Sequence, residues 1–276
     1  MNLFEILDLA PHGPDTYVGS GPHYPWGGLY GGQIVAQALQ AATGTVDPQF
    51  VVHSLRAYFI RRGDHSETVR YEVDRIRNGR SFCTRRVVAR QSIGAILNLE
   101  ASYHAPEEAA DIETVSIPPD VPGPDELVQE SWSPVFERAF VPAERLDLAS
   151  RSGAGRAVAW FRVLDPIAPD DTAMHQGGLA YLSDDLPTDA VVRAHPMGRE
   201  PRDVVERVMF SASLDHAIWF HRPLRVDQWH LYDFTCQTFT GSRGLSTGHV
   251  FSAEGIHVAT IAQEVLLRDT RNRAPR

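Results

Sequence analysis

The sequence predicts an α+β protein of two tandem units, in each of which an antiparallel sheet wraps around one helix. Two observations lead to this prediction. Each half of the chain offers one segment with helical spacing of apolar residues, followed by several long segments typical of strands. Short motifs of the first half also return, in the same order, in the second half. The length of 276 residues agrees with two folded units.

The first half begins with a helix predicted at 31–39, where Gly31 and Gly32 precede apolar residues at helical spacing. Long segments rich in β-branched and aromatic residues follow, and we predict a strand for each of them. These strands span 50–61, 67–76, 80–91 and 94–104.

The second half repeats this order after one additional strand, predicted at 156–164. Its helix is predicted at 171–183, because Asp170 and Asp171 are residue types that stabilise a helix N-terminus. The strands that follow are predicted at 208–221, 229–240, 243–253 and 256–267.

Short motifs show that the two halves repeat each other. Residues 53–59 resemble 212–220, and the run 79–102 resembles the run 242–263. The repeat is too long for a solenoid and indicates a duplicated domain. Two such units can pair into one continuous sheet, which hides a sheet edge of each.

The charge is concentrated between the two units. Residues 105–150 contain 2 Arg and 11 acidic residues, whereas the segments on either side are nearly neutral. The same stretch contains 7 of the 19 prolines, and both features oppose compact regular structure. We therefore predict an N-terminal domain at 1–104, a connector at 105–150 whose apolar part packs on the body, and a C-terminal domain at 151–276.

Composition excludes several classes of function. All 26 basic residues are Arg and none is Lys, which excludes Schiff-base, pyridoxal-phosphate and Walker-type lysine chemistry. The net charge of −9 argues against binding of nucleic acid, and no apolar run is long enough to span a membrane. Cys83 and Cys236 lie outside any metal-binding motif and are expected to be buried, reduced thiols. With no basic segment before the first apolar residues, we expect a cytoplasmic protein.

Four motifs together resemble the acyl-CoA thioesterase II family. They are Gly-Gly-Gln-Ile-Val-Ala-Gln-Ala-Leu at 31–39, Val-His-Ser-Leu-Arg-Ala-Tyr-Phe-Ile at 52–60, Leu-Asp-His-Ala-Ile-Trp-Phe-His-Arg-Pro at 214–223 and Val-Ala-Thr-Ile-Ala-Gln-Glu at 258–264. The resemblance implies a double hotdog fold and hydrolysis of acyl-CoA to fatty acid and coenzyme A. It also implies a homo-oligomer and no metal or redox cofactor.

The resemblance also implies a catalytic set in the second half, which binds and activates a water molecule. The matching positions are Asp184 as the carboxylate, Ser213 as the hydroxyl and Gln263 as the amide. This set suits thioester hydrolysis, which needs a base and groups that orient the nucleophile. The Gly-x-Ser-x-Gly match at 244–248 lies inside the strand predicted at 243–253 and not at a strand-to-helix turn, so a covalent serine enzyme has little support. The segment 185–207 departs from the family pattern.

Five further residues are predicted to bind the acyl-CoA substrate. Gly31 and Gly32 begin the first helix, where a backbone N–H is suited to a thioester oxygen. His53 is expected to line the same cleft. Arg222 and Arg243 are the candidates for contacts with coenzyme A phosphates, which only Arg can provide in this chain.

Alternative interpretations remain open from the sequence. A double hotdog protein that binds acyl-CoA or lipid without catalysis is one of them, and a hydratase is weaker because its Gly-Asp-x-Asn-Pro-x-x-His type segment is absent. Asp215, His216 and His221 are also candidates for catalysis, although two His near one Asp are more often structural, with no third ligand at metal spacing.

Overall fold

A computed structural model describes residues 1–119, 121–146 and 155–271. The first half contains two helices and six strands. In chain order they are α1 (Leu3–Leu7), β1 (Ala10–Pro11), β2 (Thr16–Gly19), α2 (Gly31–Thr43), β3 (Val51–Phe59), β4 (Val69–Asn78), β5 (Phe82–Gln91) and β6 (Gly94–His104).

The second half adds three helices and eight strands among the described residues. In chain order they are β7 (Gln129–Glu130), β8 (Phe136–Phe140), β9 (Arg156–Val163), α3 (Thr172–Leu182), α4 (Pro187–Ala194), α5 (Arg202–Val208), β10 (Met209–Ser213), β11 (Asp215–Phe220), β12 (His230–Thr240), β13 (Arg243–Ser252) and β14 (His257–Asp269).

All the strands belong to one antiparallel sheet whose order is β1-β2-β4-β5-β6-β3-β11-β14-β13-β12-β9-β8-β7, with β10 also paired to β14. The two halves join where β3 pairs with β11, with Arg56 opposite Ala217. This pairing confirms the prediction of an α+β fold with one continuous sheet, and it removes an exposed edge from each half.

Helix α2 lies in the core, and all but three of its residues are buried. It packs against α3 so closely that a Cβ atom on Gly32 would lie 2.1 Å from the backbone oxygen of Tyr181. The amide of Gln40 also donates to the backbone oxygen of Ala173 at 3.0 Å. The central helices of the two halves therefore contact each other directly, with Gly at the point of closest approach.

Helix α3 begins and ends as the sequence predicts. The Asp171 side chain caps its N-terminus by accepting from the backbone N–H of Met174 at 3.0 Å. The helix ends at Leu182, and Ser183 is its C-cap. Asp184 therefore follows the last turn of a buried helix.

The strand predicted at 208–221 is wrong as a single element, because the structure breaks it at Leu214. Before the break, β10 pairs only with β14, whereas β11 pairs with both β14 and β3. Leu214 connects the two arrangements: its oxygen accepts from Phe59 N and its N–H donates to Glu264 O. The break places Ser213 at the end of a strand, beside β14.

Part of the predicted connector belongs to the sheet of the second half. Strand β8 pairs with β9, with Phe136 opposite Val163, and Val135 and Phe136 lie in the core. Positions 120 and 147–154 lie outside the described residues, so the domain bounds at 104 and 150 stay predictions.

Helices α4 and α5 occupy the segment 185–207, which departs from the family pattern. Pro187 occupies the first turn of α4, a position where its missing N–H costs nothing. Cys83 is buried, but Cys236 is only partly buried, so the sequence prediction is wrong for its burial; both are free thiols. No described helix is long and apolar enough to cross a membrane.

Candidate active site

Asp184, Ser213 and Gln263 lie within hydrogen-bond distance of one another. Ser213 Oγ donates to Asp184 Oδ1 at 2.7 Å, and Gln263 Nε2 donates to the same oxygen at 2.9 Å. Gln263 Nε2 also lies 2.8 Å from Ser213 Oγ. The structure thus brings together the three residues that were predicted to be catalytic, from the end of α3, the end of β10 and the middle of β14.

The carboxylate of Asp184 is buried and accepts three hydrogen bonds. Its second oxygen, Oδ2, accepts from the backbone N–H of Gly32 at 3.1 Å. Burial raises the pKa of Asp184 from an ordinary 3.8 to about 6, although the hydrogen bonds from Ser213 and Gln263 act in the opposite direction. A carboxylate of this pKa is ionised at neutral pH and is a stronger base than an exposed Asp.

His216 fixes the orientation of the Gln263 amide. Both side chains are fully buried, and His216 Nδ1 forms a short hydrogen bond with Gln263 Oε1. Since an amide oxygen only accepts, the ring donates from Nδ1. Burial lowers the pKa of His216 to about 4, so the ring is neutral at pH 7 and carries its single proton there. The amide N–H₂ group therefore faces Asp184 and Ser213.

Ser183 contacts the other ring nitrogen of His216. Ser183 Oγ lies 2.7 Å from His216 Nε2 and 2.9 Å from the backbone oxygen of Ala180, so its single proton is shared between these two acceptors when the ring proton is on Nδ1. A buried chain of hydrogen bonds thus runs from the last turn of α3 through His216 and Gln263 to Asp184. His216 and Ile218 are two residues apart and lie on the same face of the strand, so the sequence pattern predicts that His216 is buried. Its contact with Gln263 depends on the pairing of strands that are distant in sequence, which the pattern does not reveal.

A buried ion pair compensates the acidic residue beside Asp184. Asp185 accepts from Arg138 Nη1 at 2.5 Å and from the indole N–H of Trp132 at 2.8 Å. Arg138 also pairs with Glu130. Both partners of Asp185 come from the predicted connector, which therefore supports the site. Without them, a second buried charge beside Asp184 would raise its pKa further.

Gly31 and Gly32 begin α2 at the carboxylate, as the sequence predicts, but they have different contacts. The N–H of Gly32 is used by Asp184. A Cβ atom on Gly31 would lie 2.4 Å from Asp184 Oδ2 and 3.0 Å from the ring of Phe59, so only glycine fits this position without movement of the carboxylate. The N–H of Gly31 has no hydrogen-bond partner among the described residues.

A cleft of about 670 Å³ leads to these residues and is lined by both halves of the chain. Gly31 and Phe59 line it from the first half, and Asp184 and Ser213 line it from the second. Most of its remaining wall is apolar and includes Leu29, Ile34, Met209, Phe210 and Leu266. Apolar side chains of this kind suit an acyl chain.

The structure does not bring His53 to this cleft. Its Nε2 lies 2.9 Å from Ser102 Oγ, and it is absent from the lining of the cleft. Along β3, His53 is five positions before Tyr58, which is opposite Asp215 at the other end of the strand. At about 3.3 Å per residue, this is about 17 Å.

Arg222 and Arg243 are occupied by acidic partners. Arg222 binds Asp111 and Glu113, and Arg243 binds Glu264 at 2.8 Å. Neither of them lines the cleft, whereas Arg61 and Arg62 do. Sequence reasoning missed these two, although they directly follow the motif at 52–60.

Two family models and several known proteins match this chain. A model of the acyl-CoA thioesterase N-terminal domain matches residues 20–104, and one of the acyl-CoA thioesterase C-terminal domain matches residues 106–267. Acyl-coenzyme A thioesterase 8 of Homo sapiens is 33% identical over 287 residues, which cover 95% of this chain and 88% of that protein.

Solved structures show the same fold. An acyl-CoA thioesterase II from Mycobacterium marinum matches with a TM-score of 0.81 and 34% identity, over 99% of each chain. A protein with a hot dog fold from Alicyclobacillus acidocaldarius matches with a TM-score of 0.75 over 99% of this chain and 98% of its own, at 19% identity. These matches confirm the double hotdog fold. The chain therefore belongs to the acyl-CoA thioesterase II family and is an enzyme that hydrolyses acyl-CoA thioesters.

Proposed function

We propose that Asp184, Ser213 and Gln263 are the catalytic residues of this hydrolysis and that water is the nucleophile. The observation that supports the proposal is the mutual contact of the three side chains, of which Asp184 and Ser213 line the cleft and Gln263 is buried against them. Asp184 is the base, because it is the ionised group of the set and its pKa lies near 6. Ser213, which lines the cleft, orients the water, and Gln263 donates to Asp184 and Ser213 and so holds both in place.

The reaction then proceeds in two steps. Asp184 takes a proton from water while the water oxygen forms a bond to the thioester carbon, which gives a tetrahedral oxyanion. The oxyanion collapses, the carbon–sulfur bond breaks, and the proton on Asp184 passes to the departing thiolate. The products are the free fatty acid and coenzyme A, and Asp184 is again ionised.

The N–H of Gly31 is the group we assign to the oxyanion. It lies in the first turn of α2, where the helix dipole favours negative charge, and it faces no protein acceptor among the described residues. Gly31 borders both the cleft and Asp184. The sequence prediction of a helix N-terminal donor is therefore narrowed to Gly31, because Asp184 uses the N–H of Gly32.

Replacement of Asp184 by Asn tests this assignment. Removal of the base should lower kcat by at least about 100-fold, whereas binding of acyl-CoA should be retained. The exposed residue Asp203 offers a matched control, since Asp203→Asn changes the same group outside the cleft. Assays follow the release of the coenzyme A thiol. Hydrolysis by Asp184→Asn at the wild-type rate would contradict the proposal.

The same variant should remain folded. The raised pKa of Asp184 means that its ionisation opposes folding as pH rises from 3.8 through about 6, by about 3 kcal/mol at neutral pH. Asn removes this cost but leaves one of three donors without an acceptor, which costs about 1–3 kcal/mol. The two effects offset each other, so a loss of activity in Asp184→Asn is not due to unfolding.

We also propose that the protein works in the cytoplasm as a homo-oligomer. Support for the compartment comes from the two free thiols, which are typical of a reducing environment. Light scattering of the purified protein tests the oligomer, and a monomer at micromolar concentration would contradict it.

A further inference from the structure

Two arginines lie at the cleft that contains Asp184, directly after the end of β3. We propose that Arg61 and Arg62 bind the phosphate groups of the coenzyme A part of the substrate. This proposal rests on the proposed catalytic site, because it needs the thioester to bind in the same cleft.

The backbone after β3 is irregular and directs both side chains to the cleft. The N–H groups of Ile60 and Arg61 both donate to the oxygen of Ile96, at 2.9 and 3.4 Å. Regular strands place consecutive side chains on opposite faces, and two donors on one acceptor interrupt that alternation. Arg61 and Arg62 therefore both contribute to the lining of the cleft.

Each guanidinium donates to a backbone oxygen, which leaves its positive charge without a neutralising carboxylate. Arg61 Nη1 donates to the oxygen of Ala95 at 2.8 Å, and Arg62 Nη2 donates to the oxygen of Trp26 at 2.6 Å. A guanidinium has five N–H donors, so most of them remain available to a ligand. Among the described residues, neither arginine pairs with a carboxylate, in contrast to Arg222 and Arg243.

Arg62 also packs against the backbone at the rim of the cleft. A Cβ atom on Gly28 would lie 2.5 Å from Arg62 Nε. The glycine thus lets the planar guanidinium lie flat against the chain, and this contact limits its rotamers. An arginine held in this way loses less entropy when it binds a ligand.

Arg61 and Arg62 are the two basic residues among those that line the cleft. The whole chain has a net charge of −9, and the cleft contains the acidic residues Asp184 and Asp185. Asp185 is neutralised by Arg138. Asp64, which follows soon after Arg62, accepts from Ser66 and His65.

The position suits phosphate bound at a distance from the carboxylate. Phe59 and Asp184 flank the same point at Gly31, and Arg61 and Arg62 follow Phe59 by two and three residues. A fully extended chain would place them about 7–10 Å further along, which is the upper limit for this irregular segment. The neutral pantetheine arm separates the thioester from the phosphates, and Arg binds phosphate through two parallel N–H groups.

Two thioesters with the same acyl group test the proposal: acyl-CoA, and an S-acyl N-acetylcysteamine that has no phosphate. For Arg61→Gln with Arg62→Gln, kcat/KM on acyl-CoA should fall roughly 10- to 100-fold, mainly through KM. The N-acetylcysteamine thioester should be hydrolysed at the wild-type rate. Arg86→Gln is the control, because Arg86 is exposed, pairs with Asp74 and lies outside the cleft.

Other results would overturn the proposal. An equal loss on both thioesters would show damage to the fold or to the catalytic residues, and no loss on acyl-CoA would exclude contact with the phosphates. A loss specific to acyl-CoA in Arg243→Gln instead would move the phosphate site there. A wild-type protein inactive on both thioesters would overturn the proposed catalytic site as well.

Discussion

Gly31→Ala tests whether the carboxylate of Asp184, which we propose as the base, needs its present position. The added Cβ atom would lie 2.4 Å from Asp184 Oδ2, whereas ordinary contacts begin near 3.4 Å. The carboxylate must therefore move by about 1 Å, because the neighbouring ring of Phe59 at 3.0 Å leaves little room on the other side. A displacement of this size is enough to lower kcat about 100-fold.

Stability should change little in Gly31→Ala. The substitution restricts the unfolded chain, which stabilises the protein by about 0.4–1 kcal/mol, and this gain offsets part of the cost of the displaced carboxylate. Gly32→Ala should behave differently, since its Cβ atom would lie 2.1 Å from the backbone oxygen of Tyr181. Here α2 and α3 must separate, so the melting temperature should fall.

Steady-state release of coenzyme A and thermal unfolding together measure both effects. Gly123→Ala is a suitable control, because a Cβ atom there meets nothing within 4 Å. A Gly31→Ala protein with wild-type kcat would refute the reasoning, since the carboxylate would then tolerate the displacement. A Gly31→Ala protein that is unfolded at room temperature would refute the claim that the contact is local to the site.

Three further predictions concern the charges and hydrogen bonds around Asp184. In the wild-type enzyme, kcat/KM should fall tenfold per pH unit below about pH 6, because the protonated carboxyl is no longer a base; a flat profile between pH 4 and 6 would contradict this. Arg138→Gln should move this acid limb to higher pH in the same assay, since the unpaired charge of Asp185 raises the pKa of Asp184. His216→Leu should lower kcat by about tenfold because Gln263 Oε1 loses its donor, whereas His216→Asn, which retains a donor near Nδ1, should restore most of it; equal kcat values in the two variants would exclude the orienting role.

The sequence predicts the helices and strands better than the points at which a strand is interrupted. Long periodic segments such as those of β5 and β6 are confirmed, because alternation within one strand is a local property. The break at Leu214 is not visible in this way. It arises because Phe59 and Glu264, both distant in sequence, bond the two sides of that residue, and only tertiary pairing places them there.

The same distinction applies to the site. Asp184, Ser213 and Gln263 were found through motifs, and each lies where its motif implies. Arg222 and Arg243 were chosen because they stand beside motifs, but a charged side chain binds whichever partner the fold supplies. The acidic residues that occupy Arg222 come from the distant segment 105–119, and no spacing rule reveals such a pair.

Among the residues that the structure describes, the group around Asp184 has no counterpart in the first half, and the sheet register shows why. When Tyr58 and Phe59 are aligned with Trp219 and Phe220, Leu55 of β3 takes the place of His216 in β11. Leu55 pairs with Ala101 in β6, whereas His216 bonds to Gln263 in β14. Ala101, rather than Ser102 as the motif comparison suggests, is thus the equivalent of Gln263.

An apolar pair therefore occupies the first half where the second half carries the orienting imidazole and the amide. Leu55 and Ala101 are both buried in the core, so this position in the first half contributes packing alone. The first half instead supplies the N-terminus of α2 and the arginines after β3 to the site of the second half. In the mechanism that we propose, the second copy provides the base and the residues around it, and the first copy provides the helix N-terminus and the positive charge.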